Sequence, residues 1–178
     1  MQTTDGRTEQ KILEWLEQVP FAHMDNPHPP LAMGSAIDYE VWLRSGRQID
    51  GIEVILQKFL RTRDSRIDLA QVAYVLGWLG SSQSVPALIN ALYLNNSRVR
   101  TEAAASLGRL GDIKAVEPLC QRLIHDNDHN VRANAAVALG MIGDLKSEPC
   151  LRSALNDENE FVTRLTREAL DHLHKKHD

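Results

Sequence analysis

The sequence predicts an all-α fold, an α-solenoid (α/α superhelix) of about four helical hairpins with an N-terminal helix and a proline-rich arm. Three observations carry this. The phrases Ala73-Tyr74-Val75-Leu76-Gly77-Trp78-Leu79-Gly80, Ala104-Ala105-Ser106-Leu107-Gly108-Arg109-Leu110-Gly111 and Ala136-Val137-Ala138-Leu139-Gly140-Met141-Ile142-Gly143 say nearly the same thing. They recur about every 31 to 32 residues, a helical-repeat period. The segments between them are short and rich in Asn, Asp and Gly, as antiparallel helix pairs require. Arrays of this kind bind along a surface and seldom do chemistry in a pocket.

The elements follow in order. Residues 8–18 read as a short amphipathic helix, with Ile12, Leu13, Trp15, Leu16 and Val19 apolar. Residues 20–34 hold Pro20, Pro27, Pro29 and Pro30, so they read as an arm lying on the array or as a loop, since proline removes a donor and restricts its neighbour. Residues 38–44, with Tyr39 and Trp42, read as a short helix. Residues 1–48 thus form an N-terminal unit that packs on or caps the array. Residues 49–178 form the repeats, at about 49–80, 84–111, 113–143 and 145–174.

The first pair is expected at 49–62 and 65–79, the second at 84–95 and 97–110, the third at 113–125 and 129–142, the fourth at 145–156 and 160–174. Asn96, Ser97, Asp128 and Asn130 stand where second helices start and can accept bonds from free backbone N–H groups. Gly80, Gly111 and Gly143 stand where second helices end, where a left-handed residue suits glycine. Asp112 and Asp144 then cap the next turn. Pro86, Pro118 and Pro149 fall in the first turns of first helices, where a missing N–H costs little. The same register puts Cys120 and Cys150 in the core, as buried reduced thiols in preference to a disulfide or metal role.

The totals narrow the function. At 178 residues with 43% hydrophobic content, the chain can bury one core. A net charge of −4 argues against nucleic acid, whose binders neutralise phosphates. No charged and apolar leader opens the sequence, and no apolar run approaches the ~18 residues of a membrane span. A cytoplasmic protein is the expectation, with no membrane or small-molecule partner.

At Val99-Arg100-x-x-Ala103-Ala104-x-x-Leu107-Gly108-x-Leu110-Gly111-Asp112 and Val131-Arg132-x-x-Ala135-Ala136-x-x-Leu139-Gly140-x-Ile142-Gly143-Asp144 the chain resembles HEAT-like repeats of the phycobilisome-lyase type. The match is strong over 84–144, fair over 65–83, weak over 145–178 and absent from 1–48. The resemblance implies first helices on the convex side and second helices lining the concave side. It covers lyase chaperones, scaffolds and adaptors alike. Some HEAT-repeat enzymes hold iron with His-Glu pairs at the start of second helices. The corresponding positions here read Thr101-Glu102 and Ala133-Asn134, so that activity is not expected. HEAT-repeat DNA glycosylases need a basic concave face, and here Glu102 and Glu168 stand beside Arg109.

In the fourth repeat, Asp171 stands where glycine is expected, and a polar outer face suits a terminal repeat. The tail charges after Leu173 are expected in solvent. Opposite the core stripe, the second helices present rows: Gln71, Glu102, Asn134 and Leu165; then Tyr74, Ala105, Val137 and Glu168; then Trp78, Arg109, Met141 and His172. Large apolar residues at such positions mark binding surfaces. The candidate protein-binding residues are therefore Gln71, Tyr74, Trp78, Glu102, Arg109, Asn134, Val137 and Met141. Three readings stay open, an intermolecular groove, cover by the proline-rich arm, and exposure without function. Arg100 and Arg132 read as a structural series pairing with Asp126, Asp128 or Asp157.

No catalytic set emerges. His125-Asp126-Asn127-Asp128-His129 and His172, His174, His177 are the metal-like clusters, but a turn and a helix end give poor fixed geometry. No Gly-rich phosphate loop or activated nucleophile is present. The expected function is a non-enzymatic protein-binding scaffold or adaptor without cofactor, of the kind a bacterial immunity or effector-adaptor protein would be. The alternative is a phycobilin lyase-like subunit or chaperone acting on a tetrapyrrole-bearing protein.

Overall fold

The computed structural model describes residues 6–17 and 44–177, and helices are the only regular structure among them. The arm at 20–34 and nearly all of the short helix at 38–44 lie outside the described residues. Helix α1 is Gly6–Glu17, and residues 44–47 make a helical turn before the first repeat. The hairpins follow as α2 (Ile52–Thr62) with α3 (Leu69–Leu79), α4 (Val85–Ala91) with α5 (Ser97–Leu110), α6 (Val116–His125) with α7 (His129–Ile142), and α8 (Glu148–Ala154) with α9 (Glu160–His177).

Second helices start where a side chain can cap them. Asp68, Asn96 and Asp128 each accept from the N–H two residues on. That places the start of α3 at Leu69, four residues later than expected. The first helices of repeats two to four open more gradually than expected. Ser82–Ser84, Ile113–Ala115 and Leu145–Ser147 are 3₁₀ turns, capped by Ser81, Asp112 and Asp144. The proline then sits just inside the α-helix, as expected.

Two of the three glycine stops behave as expected. Gly111 and Gly143 take φ of 68° and 69°, with their N–H groups on the carbonyls of Leu107 and Leu139. Gly80 does not. It is extended, with φ −74° and ψ 160°. Glu53 binds the backbone N–H and hydroxyl of Ser81 and the hydroxyl of Ser84, which fixes the chain beyond Gly80. Glycine is needed there for room, since a Cβ would meet the Leu76 carbonyl and Ser84.

The second helices stack side by side over most of their lengths, whereas the first helices touch their neighbours more sparsely. The side formed by α3, α5, α7 and α9, where the contact is most extensive, is called the inner side. Small residues make the close spacing possible. Gly77 meets Ser106, Gly108 meets Ala138, and Gly140 meets Ala169. A Cβ on Gly108 would lie 2.8 Å from the Ala138 Cα. Ser106 uses the same approach to donate from its hydroxyl to the Ala73 carbonyl at 2.9 Å. Asp171, at the corresponding place on α9, is exposed.

Between the two layers runs a continuous core. Ile55, Leu56, Phe59, Leu76, Leu88, Leu107, Leu119, Leu139 and Leu151 are fully buried in it. Each such side chain contributes about 1.5–3 kcal/mol relative to exposure. Helix α1 joins the core through Ile12, Leu13, Trp15 and Leu16. Glu9 holds it there through Lys58 at 2.6 Å and Arg66 at 2.9 Å. Trp15 donates to the Ser45 hydroxyl at 3.0 Å.

One expectation is corrected. Cys120 and Cys150 are joined as a disulfide between α6 and α8, not buried as separate thiols. Their helices occupy equivalent places in adjacent repeats, and the two Cα atoms stand 5.7 Å apart, within disulfide reach. The described charges after Leu173 are exposed, as expected, and two of them also make contacts at the end of α7. Lys176 donates to the Ile142 carbonyl and the His177 ring contacts the Gly143 carbonyl, both at 2.9 Å. The C-terminal carbonyls of α7 lack helical partners and carry the negative end of its dipole, so they draw these groups in.

Candidate protein-binding face

The inner face is built by the four second helices, and its outward rows follow the 3.6-residue period. Tyr74 and Trp78, one turn apart on α3, hold their ring centroids 6.2 Å apart at 50°. The guanidinium of Arg109 on α5 lies over both, 5.1 Å from the Tyr74 ring and 5.0 Å from the Trp78 ring. Its Nη1 donates to the Ser106 hydroxyl at 3.2 Å. Met141 on α7 continues the row, with its sulfur alongside Gly108. Val137 stands one turn earlier on the same helix. Trp78 is 44% exposed, Val137 37% and Met141 49%. Tyr74, Trp78, Arg109, Val137 and Met141 therefore share one surface.

The other candidates are less accessible. Gln71 is buried, and its amide donates to the Leu16 carbonyl at 3.0 Å, so α1 docks on that end of the face. Asn134 is half-buried and donates to the Asn130 carbonyl at 2.9 Å. Glu102 is buried as well. Burial pushes its carboxyl up to about 7, against the pull of Arg109 and Arg98, with Asp68 adding to the rise.

Residues outside the expected set join the face. Arg47 donates to the Trp78 carbonyl at 3.0 Å. Phe161 on α9 is exposed, with the Arg164 guanidinium 5.3 Å from its ring. Its place before Val162 matches Arg98 before Val99 and Asn130 before Val131, which was the available signal. Arg47 had none, because it precedes the repeats.

At the turns between first and second helices the arginine series forms as expected. Arg100 pairs with Asp126, and Arg132 with Asp157. Asp126 also accepts from the Asp128 backbone and lies near Arg122. It is thus a structural anchor of the His125–His129 turn. Among the described residues no group of His, Cys, Asp or Glu is placed to hold a metal, and no helix is long and apolar enough to cross a membrane.

A family model described as HEAT repeats matches residues 52–129 and 114–171. Deoxyhypusine hydroxylases of Gibberella zeae and Chaetomium globosum are each 43% identical over 58 residues. That stretch is 32% of this chain and 17% of theirs, so the chain spans only a small part of these relatives. Among solved structures, the complex of CpcE and CpcF of phycocyanin lyase from Nostoc sp. PCC7120 is similar, with a TM-score of 0.63 and 20% identity. The similarity covers 88% of this chain and 70% of that one, and at this identity it shows the fold.

Proposed function

We propose, from the premise that this chain belongs to the HEAT-repeat family, that it is a non-enzymatic scaffold or adaptor that binds a protein partner along its inner face. The supporting observation is the alignment of exposed Trp78, Val137 and Met141 around an arginine seated on two aromatic rings. Aromatic and arginine side chains dominate interface energetics. A surface held on stacked helices also needs little ordering when it binds. Nothing on the face resembles a set of convergent acid, base and nucleophile. The starts of α5 and α7 carry Thr101-Glu102 and Ala133-Asn134, which lack the histidines that HEAT-repeat iron enzymes use there.

The test is affinity capture with the native chain and with a Trp78→Ala, Met141→Ala double variant. A partner specific to this face is lost or weakened by several kcal/mol with the variant, while its melting temperature stays near the native value. Unchanged capture together with a sharp fall in melting temperature would assign both side chains to the fold and end the reading.

The lyase-like reading rests on the fold likeness to the CpcE–CpcF complex. It requires a linear tetrapyrrole to shift its absorbance when mixed with the chain. No shift, with capture of a colourless protein, leaves the adaptor reading standing alone.

A further inference from the structure

We infer that the inner face takes a partner segment in which one carboxylate is flanked by apolar side chains, the carboxylate meeting Arg109 and the flanks covering Trp78, Val137 and Met141. The inference rests on the protein-binding reading above and specifies the chemistry of the partner.

Arg109 is a cation short of a counter-charge. Arg66, Arg100, Arg132, Arg152 and Arg164 each reach a carboxylate oxygen within 4 Å. Arg109 forms no such pair among the described residues. Its polar partner is one hydroxyl, and two aromatic rings lie to one side of it. A guanidinium carries five donors in a fixed fork that matches a carboxylate. Contact with the Tyr74 and Trp78 rings and the bond to the Ser106 hydroxyl already restrain the side chain, so less freedom remains to be lost on pairing.

The acid whose field reaches Arg109 is Glu102, and it offsets only part of the charge. It is buried, and its carboxyl holds its proton to about pH 7. Nearby cations reinforce the sign. Arg47 is fixed on the Trp78 carbonyl at the end of α3, and Lys176 on the Ile142 carbonyl at the end of α7. Glu168, the exposed acid in the outward rows, already pairs with Arg164 at 3.3 Å.

The apolar neighbours set the rest of the chemistry. A purely apolar segment laid over Trp78 and Met141 would strip water from Arg109 and give it no acceptor, which is costly. A segment with a carboxylate between apolar residues removes that cost. It also makes the pair in a site of low dielectric, where a charged hydrogen bond is strong. A nucleic-acid strand would need a series of phosphate contacts, and the exposed acids and net charge of −4 oppose that.

The test is selection of random peptides of about 12 residues, displayed on phage, against the full chain. Clones that still bind the Trp78→Ala, Met141→Ala variant are discarded. The inference expects the remaining clones to carry Asp or Glu between apolar residues. Changing that acid to its amide should weaken the synthetic peptide by about tenfold or more, as should Arg109→Gln, with Arg109→Lys recovering part of the loss. Face-dependent peptides without an acid, or indifferent to Arg109→Gln, would overturn the charge inference and leave the protein-binding reading intact. No face-dependent peptide at all would overturn both. In sedimentation, a dimer that dissociates with the double variant would make a second copy of this chain the occupant and overturn a separate partner, whereas a monomer upholds it.

Discussion

Arg100 closes on Asp126 of the following repeat through Nε at 2.8 Å and Nη2 at 2.7 Å, while its Nη1 donates to the carbonyls of Leu94 and Asn95. One side chain therefore ties the end of its own first helix to the end of the next. Arg132 repeats the arrangement with Asp157 at 2.7 and 2.9 Å and with the carbonyls of Asp126 and Asn127. In the fourth repeat Thr163 takes the position and bonds locally to Asp157 and Asn159. Each step of the series reaches forward one repeat.

Removing one member leaves a buried charge alone. Arg132→Ala should destabilise the chain by about 3–5 kcal/mol, whereas Arg152→Ala, in an exposed pair, should cost under about 1 kcal/mol. Urea unfolding of the two variants checks this. Equal midpoints would show that the series adds nothing to the stack.

Glycine at the helix contact and glycine at the helix end answer to different physics. Gly108→Ala gains helix propensity of about 1 kcal/mol but drives a Cβ against the Ala138 backbone. The helices must part, and overpacking of this kind costs about 1–3 kcal/mol. Gly111→Asn meets no neighbour and keeps a residue tolerant of positive φ, so its cost should be small. The order of the two urea midpoints decides the matter.

Glu102 makes stability depend on pH in a direction opposite to a paired acid. Its folded value of about 7 lies above the ordinary 4.5. Between those values the unfolded chain has released the proton and the folded chain still holds it. Stability therefore falls as pH rises from 4.5 to about 7, and levels beyond. The shift corresponds to roughly 3 kcal/mol. Glu102→Gln should flatten that stretch of the curve and stabilise the chain at pH 8. Denaturant midpoints at pH 5 and pH 8, for both proteins, read it directly.

The Cys120–Cys150 bond closes a loop with a sequence separation of 30, worth about 3–4 kcal/mol on the chain-entropy scale. Reductant should lower the melting temperature of the native chain and leave Cys150→Ser unaffected. Alkylating free thiols in intact cells reports the compartment as well. Protected cysteines would place the chain in an oxidising space, against the cytoplasmic expectation.

Much of the fold was legible in the sequence because each repeat solves its problems locally. Asn96 and Asp128 cap the helices they precede, Gly111 and Gly143 end them, and the prolines sit in first turns. Gly80 broke the pattern because Glu53, 28 residues from Ser81, holds the following turn. The Cys120–Cys150 pairing was missed because the burial pattern places both thiols inward without saying how near they lie. The exposure of Trp78 and Met141 could be read from the helical period. The burial of Gln71 by α1 could not, since α1 stands outside the repeats.

The sequence by itself determined a stack of helical hairpins, the faces of its second helices and a short set of acids for Arg100 and Arg132, because caps, apolar stripes and repeat spacing act over one or two turns or one repeat. Only the tertiary structure decided which inner-face residues stay open, that Arg109 lies across Tyr74 and Trp78, and where Cys120 and Lys176 find their partners. Those outcomes depend on how closely neighbouring helices approach, a distance set by the packing of Gly77, Gly108 and Gly140 against the next repeat.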